Sequence, residues 1–305
     1  MISDKEKISL LERELLNIDK RILFFGGHCD DIELFCGKLI LKRKGDRKYD
    51  PNARALITSA GNVKPWITRL AVYAYNGATG SPEVRMAESM EAMENLGVME
   101  DKLKFLPYPQ LALHRFPECV DDLLRTIRNV NPDYIVVPSY EGGHVDHDTT
   151  NLFAWLAVLI SGINPNRIIE YAGYRFEPNS SRMIIQDFVP KNGFPSFDFV
   201  SDAGIQSRWR EIMGLFRSQR NKRVEISLRS NHESYRIYPE HDYGEFAFPL
   251  TGKGVRQLLE WAPVNLAALF LKKSERTPYD DPKYWLTLTP ANVLKEYSLA
   301  INRYF

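Results

Sequence analysis

Cysteine is scarce in this chain: Cys29, Cys36 and Cys119 are the three present, an odd number without paired metal-knuckle spacing. That excludes a disulfide-stapled mini-domain and fits a reducing, cytoplasmic compartment, where free Cys behaves as a small hydrophobe. An excess of one charge is missing too. The 40 Lys+Arg face 39 Asp+Glu, so no net field marks the chain for nucleic acid or an anionic membrane. Long apolar runs are absent. Phe153 to Ile160, the most apolar short stretch, is eight residues, against roughly 20 needed to span a bilayer. The opening segment MISDKEKISLLERELLNIDK is charged throughout and carries neither the apolar region nor the cleavage site of a secretory leader. There is no internal repeat and no Ser/Gly/Pro-rich linker. A soluble cytoplasmic protein without membrane insertion is the expectation.

What remains is ordinary globular material of 305 residues, 44% hydrophobic and 26% charged, enough for a substantial core. Ile8, Leu11, Leu15 and Ile18 predict an N-terminal amphipathic helix over 5–18. Arg21-Ile-Leu-Phe-Phe25 reads as a buried strand ending at Gly26-Gly27. A helix over 32–44 follows, closing on Lys42-Arg43-Lys44-Gly45, cations and then Gly. The basic cluster at 42–48 is therefore read as a solvated helix end. A strand at 53–58 and helices at 82–96 (Ser81 as N-cap, Pro82 first) and 118–130 come next. Tyr134-Ile-Val-Val-Pro138 is a second buried strand, followed by a loop and a helix over 147–161. Strand alternating with helix predicts an α/β, Rossmann-like fold: a mostly parallel sheet with helices on both faces. Beyond residue 165, shorter strand-like runs occupy 168–175, 183–189 and 197–201. A helical stretch with a break near 218–221 is expected over 203–238. One α/β domain over 1–305, with an N-terminal helix and a C-terminal extension, accounts for the whole.

Two segments carry chemistry, each just past a predicted strand: Gly26-Gly27-His28-Cys29-Asp30-Asp31-Ile32-Glu33 and Gly142-Gly143-His144-Val145-Asp146-His147. In an open α/β sheet, ligands bind at the carboxyl ends of strands, at the topological switch point. If the two strands are neighbours, imidazoles and carboxylates converge there. His28, Asp31 and His147 form a three-ligand set of the kind that catalytic zinc takes, keeping a further position for water. Each segment alone reads equally as a hydrogen-bonded His–Asp pair, and Asp30 as a helix cap. Gly26-Gly27-His28 lacks the G-x-G-x-x-G turn of a dinucleotide site.

GHCDDIELFCGKL resembles the signature Ala-His-Pro-Asp-Asp-x-Glu of the PIG-L/LmbE-like deacetylase family, and GHVDH resembles its second signature, His-Pro-Asp-His. Arg85-Met-Ala-Glu88 with Ala92 and Leu96-Gly97 is similar to the family's Arg-x-x-Glu helix. Phe216-Arg217-Ser218-Gln219 is similar to its Ser-Gln element. The resemblance spans about 20–240. It implies a Rossmann-like fold and metal-dependent hydrolysis of the linear amide C–N bond of an N-acetylglucosamine-type compound. It implies His28, Asp31 and His147 as ligands of Zn2+ or another divalent ion, Asp30 as general base and His144 as transition-state stabiliser. Asp146 would tune a neighbouring imidazole and Arg85 anchor substrate. A protonated His144 is expected to donate to the oxyanion.

Other readings stand beside these. Arg85 with Glu88 is an i, i+3 pair that a surface salt bridge explains. His114, His232 and His241 read as ordinary polar residues, and Arg217–Arg223 as a solvated break. Cys29 and Val145 replace the family's prolines, and Cys29 is expected to point away from the metal. Phe35 stands where a small residue is usual and is expected to reshape the mouth. Ser59-Ala60-Gly61-Asn62 departs from the usual Thr-Asp-Gly-Glu, and loop 62–80 is unusually aromatic. The expected partner is a small N-acylated amino sugar or conjugate. A metal-dependent amidase on a non-sugar N-acyl compound and a non-catalytic carbohydrate binder are the alternatives. The binder is disfavoured because the base and all three ligands are present.

Overall fold

A computed structural model describes residues 3–58, 82–108, 118–141, 143–176, 183–219, 230–239 and 241. Ser81, loop 62–80, His114 and the segment from 249 onward lie outside them.

The helices are α1 (Asp4–Leu16), α2 (Asp31–Lys44), α3 (Pro82–Leu96), α4 (Glu118–Val130), α5 (Val145–Ser161) and α6 (Ala203–Met213). The strands are β1 (Ile22–Gly26), β2 (Ala53–Ile57), β3 (Leu103–Phe105), β4 (Tyr134–Pro138), β5 (Ile168–Tyr171), β6 (Tyr174–Phe176), β7 (Met183–Ile185), β8 (Ser196–Val200) and β9 (His232–Ile237). Seven strands form one sheet in the order β3-β2-β1-β4-β5-β9-β8, parallel from β3 through β5 and antiparallel at β9 and β8. β6 and β7 form a separate antiparallel hairpin.

Both faces of β1 are buried, as a doubly covered strand requires. Ile22 and Phe24 pack with α1, α2, α3 and α6, whereas Leu23 and Phe25 pack with α4 and α5. α4 shows why it docks: Val120, Leu123, Leu124 and Ile127 line one stripe and all are buried. Each such side chain withdrawn from water contributes about 1.5–3 kcal/mol. α2 is buried nearly all round, because α6 crosses it closely. A Cβ at Gly37 would lie 2.9 Å from the Trp209 ring, and Trp209 Nε1 donates to Glu33 O at 2.8 Å. Gly45 ends α2 at φ 55°, a backbone angle that suits glycine.

Two expectations are corrected here. The helical reading of 203–238 holds over α6 and fails at β9, a strand paired with both β5 and β8. Its polar residues are inside: Glu233 accepts from the backbone N–H groups of Lys38 and Leu39 at 2.8 and 2.9 Å, and Arg236 is 1% exposed. The basic cluster at 42–48 is likewise not wholly solvated. Arg43 is buried and donates to the carbonyls of Leu15, Asn17 and Lys20, tying α1 to α2. Among the described residues no helix is long and apolar enough to cross a membrane.

Candidate metal centre and active site

β1 and β4 are hydrogen-bonded neighbours, and the chain order reverses between them, so both chemistry-bearing turns open from the switch point of the sheet. The first turn folds on itself. Asp31 Oδ2 accepts from the His28 backbone N–H at 2.8 Å, a three-residue loop closed by a carboxylate at the start of α2. Gly27 is obligatory there: a Cβ would lie 2.9 Å from His147 Cδ2 and 3.2 Å from Asp31 Oδ2. The second turn leads into α5. His144 is its N-cap and accepts from the Asp146 backbone N–H through Nδ1 at 3.1 Å. Thr150 Oγ1 donates to Asp146 O, and Thr58 Oγ1 donates to Gly26 O, each at 2.7 Å. The two hydroxyl oxygens lie 3.0 Å apart, so the turns approach each other from beneath through this threonine pair. Sequence reading missed this threonine pair, since neither residue carries a motif.

These turns bring His28 Nδ1, Asp31 Oδ2 and His147 Nε2 to mutual distances of 3.3, 3.0 and 3.2 Å. All three residues are buried, and they form a cluster able to hold a metal ion. Tetrahedral donors about 2.0–2.2 Å from zinc are themselves roughly 3.3 Å apart, so the triangle fits such an ion. The supporting contact fits as well: His28 Nε2 lies 3.1 Å from Asp146 Oδ2, the carboxylate–imidazole pairing that orients a ligating histidine. Asp146 thus serves the imidazole of the opposite turn. A second grouping, His28–His144–Asp146, shares His28, and its His144 Nδ1 already accepts from Asp146 N–H.

The electrostatics demand positive charge at the triangle. Burial lowers the His28 pKa, but Asp31 and Asp146 more than offset it and push it up to about 10. Burial raises that of Asp31, yet His147 and His28 hold it well below the usual carboxylate range. Burial and the neighbouring His28 push His144 well below the usual imidazole value. His144 is therefore neutral, with Nδ1 occupied as an acceptor and its proton on Nε2. With Nδ1 an acceptor and the pKa lowered, the ring differs from the protonated His144 expected from the sequence.

Asp30 stands at the N-cap position of α2 but makes no capping hydrogen bond. Arg85 Nη2 lies 3.4 Å from Asp30 Oδ1, the arginine side chain 5% exposed and the aspartate 18%. The surface reading of Arg85 with Glu88 fails, because Glu88 instead accepts from Ser218 through its N–H and its hydroxyl. The Arg-x-x-Glu helix and the Ser-Gln element are thus bolted together. Cys29 is buried outside both metal-capable clusters, and burial raises its thiol pKa. Phe35 lies in the core instead of reshaping a mouth: it is 1% exposed and stacks on Tyr171. His232 reaches Gln186 O, an ordinary polar contact. His241 meets buried Glu170, in a charge cluster that sequence reading did not detect.

Comparisons with known proteins agree with this architecture. The chain covers 96% of the A40926 pseudoaglycone deacetylase Dbv21 with 72% of its own length, at 17% identity and a TM-score of 0.53. For a triple mutant of the deacetylase of the teicoplanin biosynthetic pathway the figures are 99%, 73%, 17% and 0.54. For the N,N'-diacetylchitobiose deacetylase of Pyrococcus horikoshii they are 94%, 78%, 21% and 0.50. No curated protein sequence matches the chain. Residues 23–158 match the family model described as PIG-L, GlcNAc-PI de-N-acetylase, a span running from β1 into α5 and holding both turns.

Proposed function

We propose that the protein is a metal-dependent N-deacetylase acting on an N-acylated amino sugar or its conjugate. The observation that carries this reading is the buried His28–Asp31–His147 triangle, with its 3.0–3.3 Å edges and a carboxylate at its rim. His28, Asp31 and His147 would hold a divalent cation, which would supply the Lewis acidity to acidify water and polarise the amide carbonyl. Asp30, the more exposed carboxylate, accepts the proton of the attacking water and returns it to the departing nitrogen. Arg85, 3.4 Å from the Asp30 carboxylate, aims it, and its planar fork suits a sugar hydroxyl. His144 donates its Nε2 proton to the developing oxyanion, a preorganised interaction in a dry site. Asp146 holds the His28 ring. The amino-sugar assignment draws support from the family description and from the A40926 pseudoaglycone and N,N'-diacetylchitobiose deacetylases that share the fold.

The test is release of free amine from N-acetylglucosamine conjugates by zinc-loaded protein, alongside elemental analysis. Asp30→Asn is expected to keep the metal and lose about 10²–10⁴-fold in turnover. His147→Ala is expected to lose the metal. Full activity in metal-free protein, or the reverse pattern in the two variants, refutes the assignment. Tight sugar binding with no amine released across an acyl-sugar panel points instead to the carbohydrate binder, and release from non-sugar amides alone to the amidase.

A further inference from the structure

Behind the second turn lies a cluster of buried charges that the proposed chemistry does not use. Glu170 of β5 and Arg236 of β9 face each other in register across an antiparallel pair. Arg236 Nε donates to Glu170 Oε2 at 2.8 Å, and Nη2 lies 2.7 Å from the same oxygen. The guanidinium then reaches out of the sheet. Nη2 is 2.9 Å from Glu141 Oε1, and Nη1 donates to Val189 O at 2.9 Å. Its flat face lies 4.2 Å from the Phe188 ring. Glu141 stands three residues before His144. Its carboxylate also accepts from Val189 N–H at 3.0 Å and sits 3.6 Å from Arg175 Nε.

The backbone leading to His144 hangs on these groups. Asn151 Nδ2 donates to Pro138 O and to Glu170 Oε1, both at 2.7 Å. Tyr140 N–H points to Glu170 Oε1 at 3.4 Å, and Glu141 N–H donates to Asp148 Oδ1 at 3.1 Å. His241 also contacts Glu170. From the outer side, β6 presses on the turn, and a Cβ at Gly143 would overlap the carbonyl oxygen of Tyr174. Buried ion pairs add little net stability, because desolvation consumes most of their attraction. What a two-carboxylate clamp on a planar five-donor fork does supply is geometry.

We infer that Arg236 is a positioning residue: by bridging Glu170 in the sheet to Glu141 in the turn, it sets the His144 imidazole beside the metal triangle. The ring it sets is 4.4 Å from that of His28 and 5.3 Å from that of His147, centroid to centroid. This inference rests on the deacetylase reading for its kinetic consequence only; the placement of the turn is measurable without turnover.

The experiment uses the zinc-loaded full chain and two readouts, amide hydrogen exchange and steady-state kinetics on an N-acetylglucosamine conjugate. Burial pushes the Glu141 pKa up to about 7, so the measurements are made well above that pH, where Glu141→Gln keeps the shape and the acceptor for Val189 N–H but removes the charge that Arg236 grips. Exchange at Tyr140, Glu141 and His144 should rise about tenfold, with β1 and α2 unchanged. Because His144 acts in the transition state, kcat should fall about tenfold while KM and the zinc content hold. Arg236→Met should have the larger effect. Arg236→Lys, which keeps one charge but cannot span both carboxylates, should recover part of it. Where Arg236→Met does not fold, Glu141→Gln and Arg236→Lys carry the test. Wild-type exchange in both, or exchange rising evenly through the sheet, overturns the inference. Local loosening with no deacetylation by the unmodified protein sinks the proposed function and leaves this inference standing.

Discussion

The two turns that meet at the metal triangle are built on different principles. The β1–α2 turn is closed by its own residues, since the Asp31 carboxylate takes the His28 N–H three positions away. The β4–α5 turn has local contacts too, Asp146 N–H to His144 Nδ1 and Glu141 N–H to Asp148 Oδ1, but it is also held from outside: β5, β9, the 188–189 segment and β6 each grip it through side chains or steric contact. A locally closed turn is present whenever its few residues are in place. One held from outside depends on the rest of the domain. Two of the three residues of the triangle, His28 and Asp31, belong to the first turn, and His144 to the second, so the residues ahead of His144 should bear on turnover more than on metal binding.

Paired glycine substitutions give the largest expected contrast. Gly27→Ala pushes a methyl into His147 and Asp31 and should cost about 100-fold in zinc affinity, the upper range for disturbing a ligand's support. Gly143→Ala drives the second turn off Tyr174; it should leave zinc bound and lower turnover, read by elemental analysis beside kinetics. Equal metal loss in both would erase the contrast. Asp146→Asn sits between them, removing the negative charge that faces His28 Nε2 from the opposite turn. It should weaken zinc binding about 10–100-fold in a chelator competition.

A smaller effect concerns protons. The folded-state pKa of His28 is raised from 6.5 to about 10, so zinc must displace a proton below that pH. Zinc affinity should therefore climb about tenfold per pH unit between roughly 7 and 9. The same shift makes metal-free protein most stable below the unfolded pKa, with that contribution lost as pH rises through about 10. Melting curves of chelated protein should fall accordingly on the alkaline side. A flat affinity profile would contradict the charge environment described for His28. The smallest change expected is Thr150→Val, which removes the hydroxyl joining Asp146 O to Thr58 and should cost about 1 kcal/mol in denaturant unfolding.

Much of the parallel half of the fold is legible in the sequence, because its signals are local. Ile22–Phe25 and Ile135–Pro138 are short apolar runs that end where the chain must turn, and α4 carries its apolar stripe at helical spacing. The antiparallel flank is not legible. His232–Ile237 sets Glu233 and Arg236 among polar and aromatic residues, and only distant partners convert these two from surface groups into core groups: the middle of α2 for one, Glu170 and Glu141 for the other. A polar stretch whose charges are neutralised from 66 or 195 positions away has no local mark of being a strand. Arg85 misleads in the same way, its nearest sequence partner Glu88 being used elsewhere.

The sequence alone determined which donors are available: two glycine-led turns, each bearing histidine and aspartate after an apolar strand, supply the side chains that a metal ion would need. Tertiary structure decided which nitrogen faces which oxygen. His28 presents Nδ1 to the triangle and Nε2 to Asp146, and His144 is neutral, because hydrogen bonds and burial across more than a hundred residues set imidazole orientation and charge, and these are properties of a place in space.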